Sequence, residues 1–390
     1  MKQKHSHFLI PGILLLGIVL RAPFTTLSTV LSDIASGLGV EVSSLGLLTS
    51  LPLLTFAIFS PFAASWAKRF GIERLFLGVL IVMTLGSALR TLNLPLLYVG
   101  TILVGAGIAF INVLLPSLIQ ANEPNQLGFL TTLYITAMGL STAVASSVAV
   151  PITKATSWQG LVWVLTAVCA LALMIWLPNV RHNHYLGQET STSENSGSWY
   201  KSGKVWAIMI FGGLQSLFFY TTITWLPTMA TQAGVGEANA GILASVFTLT
   251  SIPFSMIVPS LITKLSNRNR HVMLVATVLA GLVGVAMLLV NTNSFIYWLI
   301  LNLLIGSSAS VLFPYMMVVF SMKASTPEKT AQLSGLAQTG GYIFAALGPV
   351  LFGSSQQLFN SWTPAVLILL VLTLIMGIAL YKVEKTDVIL

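Results

Sequence analysis

Arg21 lies inside an apolar run, ILLLGIVLRAPFTTL from Ile13. From Pro11 to Arg21 is ten residues, about 15 Å of helix. That depth is the midplane of a hydrocarbon layer about 30 Å thick. A guanidinium keeps its proton there and is too deep to reach the headgroups easily. Its chemistry is to hold an anion or a strong dipole from a watery cavity. The competing reading is a structural arginine satisfied by backbone carbonyls or a neighbouring helix. The acidic residues all fall in polar connections or at the ends of apolar segments, and so do the five histidines. No carboxylate is therefore available at the depth of Arg21, and an unpaired buried cation is costly. Water or a bound anion is the expected compensation.

Thr25, Ser28 and Ser32 follow Arg21 at helical spacing and extend one polar stripe. A second polar group lies near residue 215. The Gln215 amide both donates and accepts, which suits a small polar solute, and Tyr220 offers a ring to close one side. Asn112, Tyr134, Gln338 and Tyr342 complete the candidate substrate-binding set, each with interhelical packing as its alternative. Pro227, and glycines such as Gly340 and Gly348, permit the bends that gating needs. No Asp, Glu or His sits at midplane to relay a proton. This favours facilitated diffusion, anion exchange, or symport with the proton carried on the solute. The chain has no GxxxxGK[ST], no HExxH and no Cys/His cluster, so no catalytic residue, metal or cofactor is expected.

These residues need long apolar helices to hold them. The 390 residues are 55% hydrophobic and 7% charged, against roughly 25% charged in soluble domains. Such a chain is an all-α membrane protein whose solvent is largely the bilayer. Twelve segments reach span length, the first at 8–32 and the seventh at 204–228. Residues 179–203 are rich in Ser, Thr, Gly and Asn and read as a cytoplasmic linker. The linker separates a six-helix half, 1–178, from a second, 204–390. Fifteen of the eighteen Lys and Arg fall in alternate connections when the N-terminus is placed inside. Only Arg90 and Lys154 are left for the outer side, so both termini are expected in the cytoplasm of a bacterial-type inner membrane. The net charge of +8 reflects this topology and not nucleic-acid binding. The single cysteine, Cys169, has no internal disulfide partner.

A weak internal repeat supports two pseudo-symmetric halves. GVEVSSLGLL from Gly39 matches GVGEANAGIL from Gly234 at an offset of 195, half the chain. Each is followed by a proline-containing span and a basic turn, KRFGIER from Lys68 and KLSNRNR from Lys264. AASWAKRFGIER resembles the loop between spans 2 and 3 of the major facilitator superfamily, usually Gly-x-x-x-Asp-Arg-x-Gly-x-basic. Arg69 and Gly71 match, whereas Lys68 replaces the acidic residue and Ala64 the first glycine. LRAPFTTLSTVLSDI from Leu20 and FGGLQSLFFYTTITWLPTMATQAG from Phe211 resemble the cyanate and 2-nitroimidazole permease branch. The resemblance implies the major facilitator fold, with two halves rocking about a midplane site in a chain that functions as a monomer. It also implies a small anion or small nitrogen-containing solute as the substrate, with Lys68, Arg69, Gly71 and Pro227 serving gating. The rival reading is a major facilitator that exports hydrophobic compounds, with a structural Arg21.

Overall fold

A computed structural model describes residues 6–40, 45, 47–186 and 202–389. Among these residues the regular structure is entirely helical. In hydrocarbon no water satisfies a free peptide group, and a helix satisfies its own. The first apolar segment is divided into α1 (Leu9–Val19), α2 (Ala22–Thr25), a 3-10 turn (Thr26–Val30) and α3 (Leu31–Leu38). Then come α4 (Leu47–Phe70), α5 (Ile72–Leu89), α6 (Leu94–Asn122), α7 (Leu127–Ala155) and α8 (Trp158–Trp176). The later part holds α9 (Gly203–Gln232), α10 (Glu237–Lys264), α11 (Asn267–Met287), α12 (Phe295–Met322), α13 (Pro327–Phe359) and α14 (Thr363–Lys385). Eleven segments among the described residues are long and apolar enough to cross a membrane, with Leu9–Leu38 as one of them. The helix α4 is outside that set, and its 24 residues give about 36 Å of helix.

Short connections start with side-chain caps. Asn93, Ser157 and Ser294 each accept a hydrogen bond from the first turn of α6, α8 and α12, satisfying a donor the helix leaves free. The chain divides into two compact units, Met1–Glu194 with Ser325–Thr339, and Asn195–Ala324 with Gly340–Leu390. In the first, α4 and α5 pack on α6, α1 on α7, and α5 on α8. In the second, α10 and α11 pack on α12, and α14 packs on α9 and α11. Small residues set the closest approaches. A Cβ on Gly17 would stand 2.6 Å from the Tyr134 carbonyl oxygen, so α1 and α7 meet backbone to backbone only because no Cβ is present.

Two expectations change. The linker reading for 179–203 divides. Residues 187–201 lie outside the described set, but the start of the stretch is built structure. Asn179 is buried and its amide donates to the Phe8 carbonyl at 3.1 Å. Arg90, expected in an outer connection, is buried with only 1% of its surface exposed. The turn that follows it is exposed at Leu92 and Asn93, so the cause is what packs over Arg90, the segment around Pro23.

Candidate functional site

The break in the first span is the centre of the candidate site. Its cause is local. Pro23 has no N–H to give to the carbonyl four residues back, that of Val19, where α1 ends, and it suits the first turn of a new helix, α2. Arg21, at φ −125° and ψ −51°, caps the short α2. Hydroxyls then add second bonds to carbonyls that already accept backbone N–H groups. Thr25 donates to the Arg21 oxygen at 3.0 Å and Thr26 to that of Ala22 at 2.6 Å. Ser28 and Thr29 bond back to Thr25 and Thr26, each at 2.7 Å. Such back-bonding bends and tightens helices, and the chain is in 3-10 form here.

Arg90 supplies the tertiary tie. It follows α5, and its Nη1 donates to the Pro23 carbonyl oxygen at 2.7 Å. Its Nε is buried with no hydrogen-bond partner among the described residues. Ser141 of α7 reaches the Ile18 oxygen at 3.4 Å from the other side. Ala22 is buried with Ala145 and Leu165 beneath the break.

Arg21 itself is only half-buried, and its side chain makes no hydrogen bond or ion pair among the described residues. The residues at helical spacing from it are likewise uncovered: Thr25 is half-buried, while Ser28 and Ser32 are exposed. Ala22, Pro23, Thr26, Leu27 and Val30, between them, are buried. The polar stripe thus survives the break as the uncovered face of the first span.

Other members of the expected set sort by burial. Tyr134 on α7 is buried, and its hydroxyl has no partner among the described residues. Asn112 on α6 and Gln338 on α13 come together: the Gln338 amide donates to the Asn112 carbonyl oxygen at 3.0 Å and to Ser334 Oγ at 2.8 Å. Spacing alone did not reveal this contact. In the second unit, Gln215 is buried with its Oε1 unpartnered among the described residues. Tyr220 is half-buried and meets Phe219 edge to face at 5.2 Å. Tyr342 is buried in α13. Pro227 lies inside α9, and its oxygen accepts from Thr231 at 3.0 Å.

The basic loop between α4 and α5 has a defined geometry. Lys68 pairs with Glu328 at the start of α13, and the Arg69 guanidinium stacks 5.4 Å from the Phe70 ring centre. Gly71 turns the chain at φ +81° and ψ 156°, a region only glycine enters readily. The carboxamide of Asn183 fills the space where a Cβ would go. It accepts from the Arg74 backbone at 3.1 Å and donates to the Phe70 oxygen at 3.0 Å.

Next to it lies a cluster that sequence reasoning missed. Glu73 is buried. His184 places Nδ1 2.6 Å from its Oε1 and donates its backbone N–H to Oε2, also at 2.6 Å. Asn122 adds an amide at 3.2 Å, and Trp176 donates to the Glu73 carbonyl at 2.9 Å. The hydrogen bond to Glu73 raises the His184 pKa against the lowering effect of its burial. The nearest sequence signal was HNHY within the supposed linker, read only as polar composition. Among the described residues, no group of His, Cys, Asp and Glu has the arrangement of a metal site.

Comparison with known proteins agrees with this architecture. The sequence profile of the Major Facilitator Superfamily matches residues 13–349 and 208–388. The chain is 34% identical over 378 residues to the 2-nitroimidazole transporter of Escherichia coli (strain K12), covering 96% of this chain and 95% of that one. It is 22% identical over 359 residues to the cyanate transport protein CynX of the same organism, with 90% of each chain covered. In fold it is similar to the proton:xylose symporter XylE, with a TM-score of 0.77 at 11% identity, covering 98% of this chain and 96% of that one. With helices of span length and a full-length match to a transporter, the chain belongs to the Major Facilitator Superfamily and resembles its 2-nitroimidazole and cyanate transporters.

Proposed function

We propose that this chain is a secondary transporter of a small anion, or a small polar nitrogen-containing solute, working by alternating access around Arg21. One observation carries the reading. Arg21 sits at the break of the first span, half-buried, with no side-chain partner among the described residues. A permanently charged fork in that position is ready to take two oxygens, or an oxygen and a nitrogen, of a small solute. Thr25 lies on the same uncovered stripe. Tyr134 and Gln215 each hold a buried polar atom without a partner among the described residues, as expected of groups that complete their bonding when a solute binds. In this reading Asn112, Tyr220, Gln338 and Tyr342 shape the pocket, and Pro227 and the loop Lys68, Arg69 and Gly71 serve the gating movement.

The alternative is export of hydrophobic compounds, which requires a structural Arg21; the absence of a side-chain partner for Arg21 among the described residues supports the anchor reading instead. Twelve spans follow if α4 is counted by its length. The repeat then supports two six-helix halves, 1–178 and 204–390, joined by the stretch 179–203, whose first residues pack on the first unit. The recurring helix pairs, α4 and α5 on α6 against α10 and α11 on α12, support that symmetry. The loop charges place both termini in the cytoplasm of a bacterial inner membrane, and a monomer is sufficient for the mechanism.

Uptake into proteoliposomes tests the anchor, with 2-nitroimidazole and cyanate as probe solutes. Arg21→Gln should abolish saturable uptake of whichever probe the unaltered chain carries, while the melting temperature of the purified protein stays the same. Uptake by Arg21→Gln at the unaltered rate would remove Arg21 from the site.

A further inference from the structure

A groove of about 260 Å³ runs between α11 and α14 on the second unit, remote in sequence from every residue assigned to transport above. Its walls include Val275, Leu279, Leu374 and Ile378, all 45–54% exposed. Its floor forms where α14 comes close to α11 at Gly377, whose Cβ would stand 2.8 Å from Val278 Cγ1. The groove is apolar along its length but not at one end. There the His271 ring meets Tyr381 edge to face at 5.1 Å, and an aromatic residue with a polar tip suits the membrane boundary.

From His271 to Leu282 is eleven residues along α11, about 16 Å of rise. Half of a hydrocarbon core of about 30 Å is the depth of one leaflet. The groove therefore has the length of one acyl chain hanging from a headgroup at the His271 end.

Charge identifies the headgroup. Arg268 precedes His271 by three residues and Lys385 follows Tyr381 by four, so each continues a wall of the groove past its polar end, and both are exposed. Lys264 and Lys382 lie at the same end and are also exposed. The acidic residue in the lining, Glu384, is already occupied: Arg270 Nε donates to Oε1 at 2.5 Å and the Tyr315 hydroxyl to Oε2 at 2.6 Å. Asp387 is the exposed acid nearby, against four exposed basic side chains. We infer that the α11–α14 groove is a binding site for an anionic phospholipid, one acyl chain in the groove and the phosphate between Arg268 and Lys385. This inference is independent of the transported solute.

The full chain, delipidated in neutral detergent, is titrated with phosphatidylglycerol or phosphatidylcholine, and bound lipid is counted by native mass spectrometry. Phosphatidylglycerol should bind more tightly. The double variant Arg268→Gln with Lys385→Gln should weaken phosphatidylglycerol about twenty-fivefold, from roughly fivefold for each basic side chain near an anionic surface. It should leave phosphatidylcholine unchanged. Lys154→Gln, an exposed basic residue of the first unit, is the control and should change neither. Leu279→Trp fills the groove from its exposed wall and should weaken both lipids. Equal binding of the two lipids, a double variant that behaves like Lys154→Gln, or full retention of phosphatidylglycerol by Leu279→Trp would each overturn the assignment.

Discussion

Replacing Arg90 by methionine separates fold from transport in a way few substitutions can. The side chain is 1% exposed, with one bond of 2.7 Å to Pro23 and a buried Nε that has no partner among the described residues. Removing the guanidinium leaves the Pro23 carbonyl short of a donor, a cost of about 1–3 kcal/mol. The same change removes a buried cation whose desolvation costs several kcal/mol. Methionine fills much of the space and adapts to irregular gaps. The two terms oppose each other, so the net change in stability should be within about 2 kcal/mol of zero. Transport has no such compensation. Pro23 is two residues from Arg21, and without its tie the break is held by its own hydroxyls and by Ser141 alone. A displacement of about 1 Å at a binding group costs on the order of a hundredfold.

The assay pairs the melting temperature of purified protein with initial uptake rates across solute concentration. Arg90→Met should melt within about 5 °C of the unaltered chain and show uptake efficiency reduced 10- to 100-fold. Unchanged uptake would refute the positioning role. A loss of folded protein would refute the claim that the desolvation of Arg90 offsets its hydrogen bond.

Three further outcomes are expected. Gly71→Ala forces a Cβ into a backbone region reserved for glycine and against the Asn183 carboxamide; it should cost about 2–4 kcal/mol, read as a lowered melting temperature. His184 has a pKa raised above its ordinary 6.5, so its tie to Glu73 is complete below that value and is lost as pH rises through the raised pKa. Melting temperature should therefore fall on the alkaline side for the unaltered chain, and a scan of His184→Ala should lack that fall. Gly17→Ala would press on the Tyr134 backbone at 2.6 Å, and overpacking of this kind costs about 1–3 kcal/mol; chemical crosslinking between cysteines on α1 and α7 should report the separation.

Much of the fold was legible because the bilayer allows so few structures. A run of apolar residues the thickness of a membrane has only the helix available, so α5 to α14 follow the hydropathy pattern closely. Arg21 was legible for the same reason, because a charge within such a run has to be explained. The contact of Gln338 with Asn112 was not, since the residues are 226 apart and local periodicity carries no information on which helices meet. Arg90 and Glu73 lie at the ends of α5, as their place in the sequence says, but their burial was not legible. Burial at a turn depends on what packs over it: Pro23 in one case, and Asn122, Trp176 and His184 in the other.

Composition and patterning by themselves determined that this protein lives in a membrane as helices and that one cation, Arg21, falls within the first apolar run. Those properties are set by neighbours along the chain and by the solvent. Only the tertiary structure decided which of two arginines is tied to another helix and which has no side-chain bond among the described residues. Arg21 and Arg90 have the same side chain, and the difference lies in the carbonyl that another helix brings within 2.7 Å of one of them.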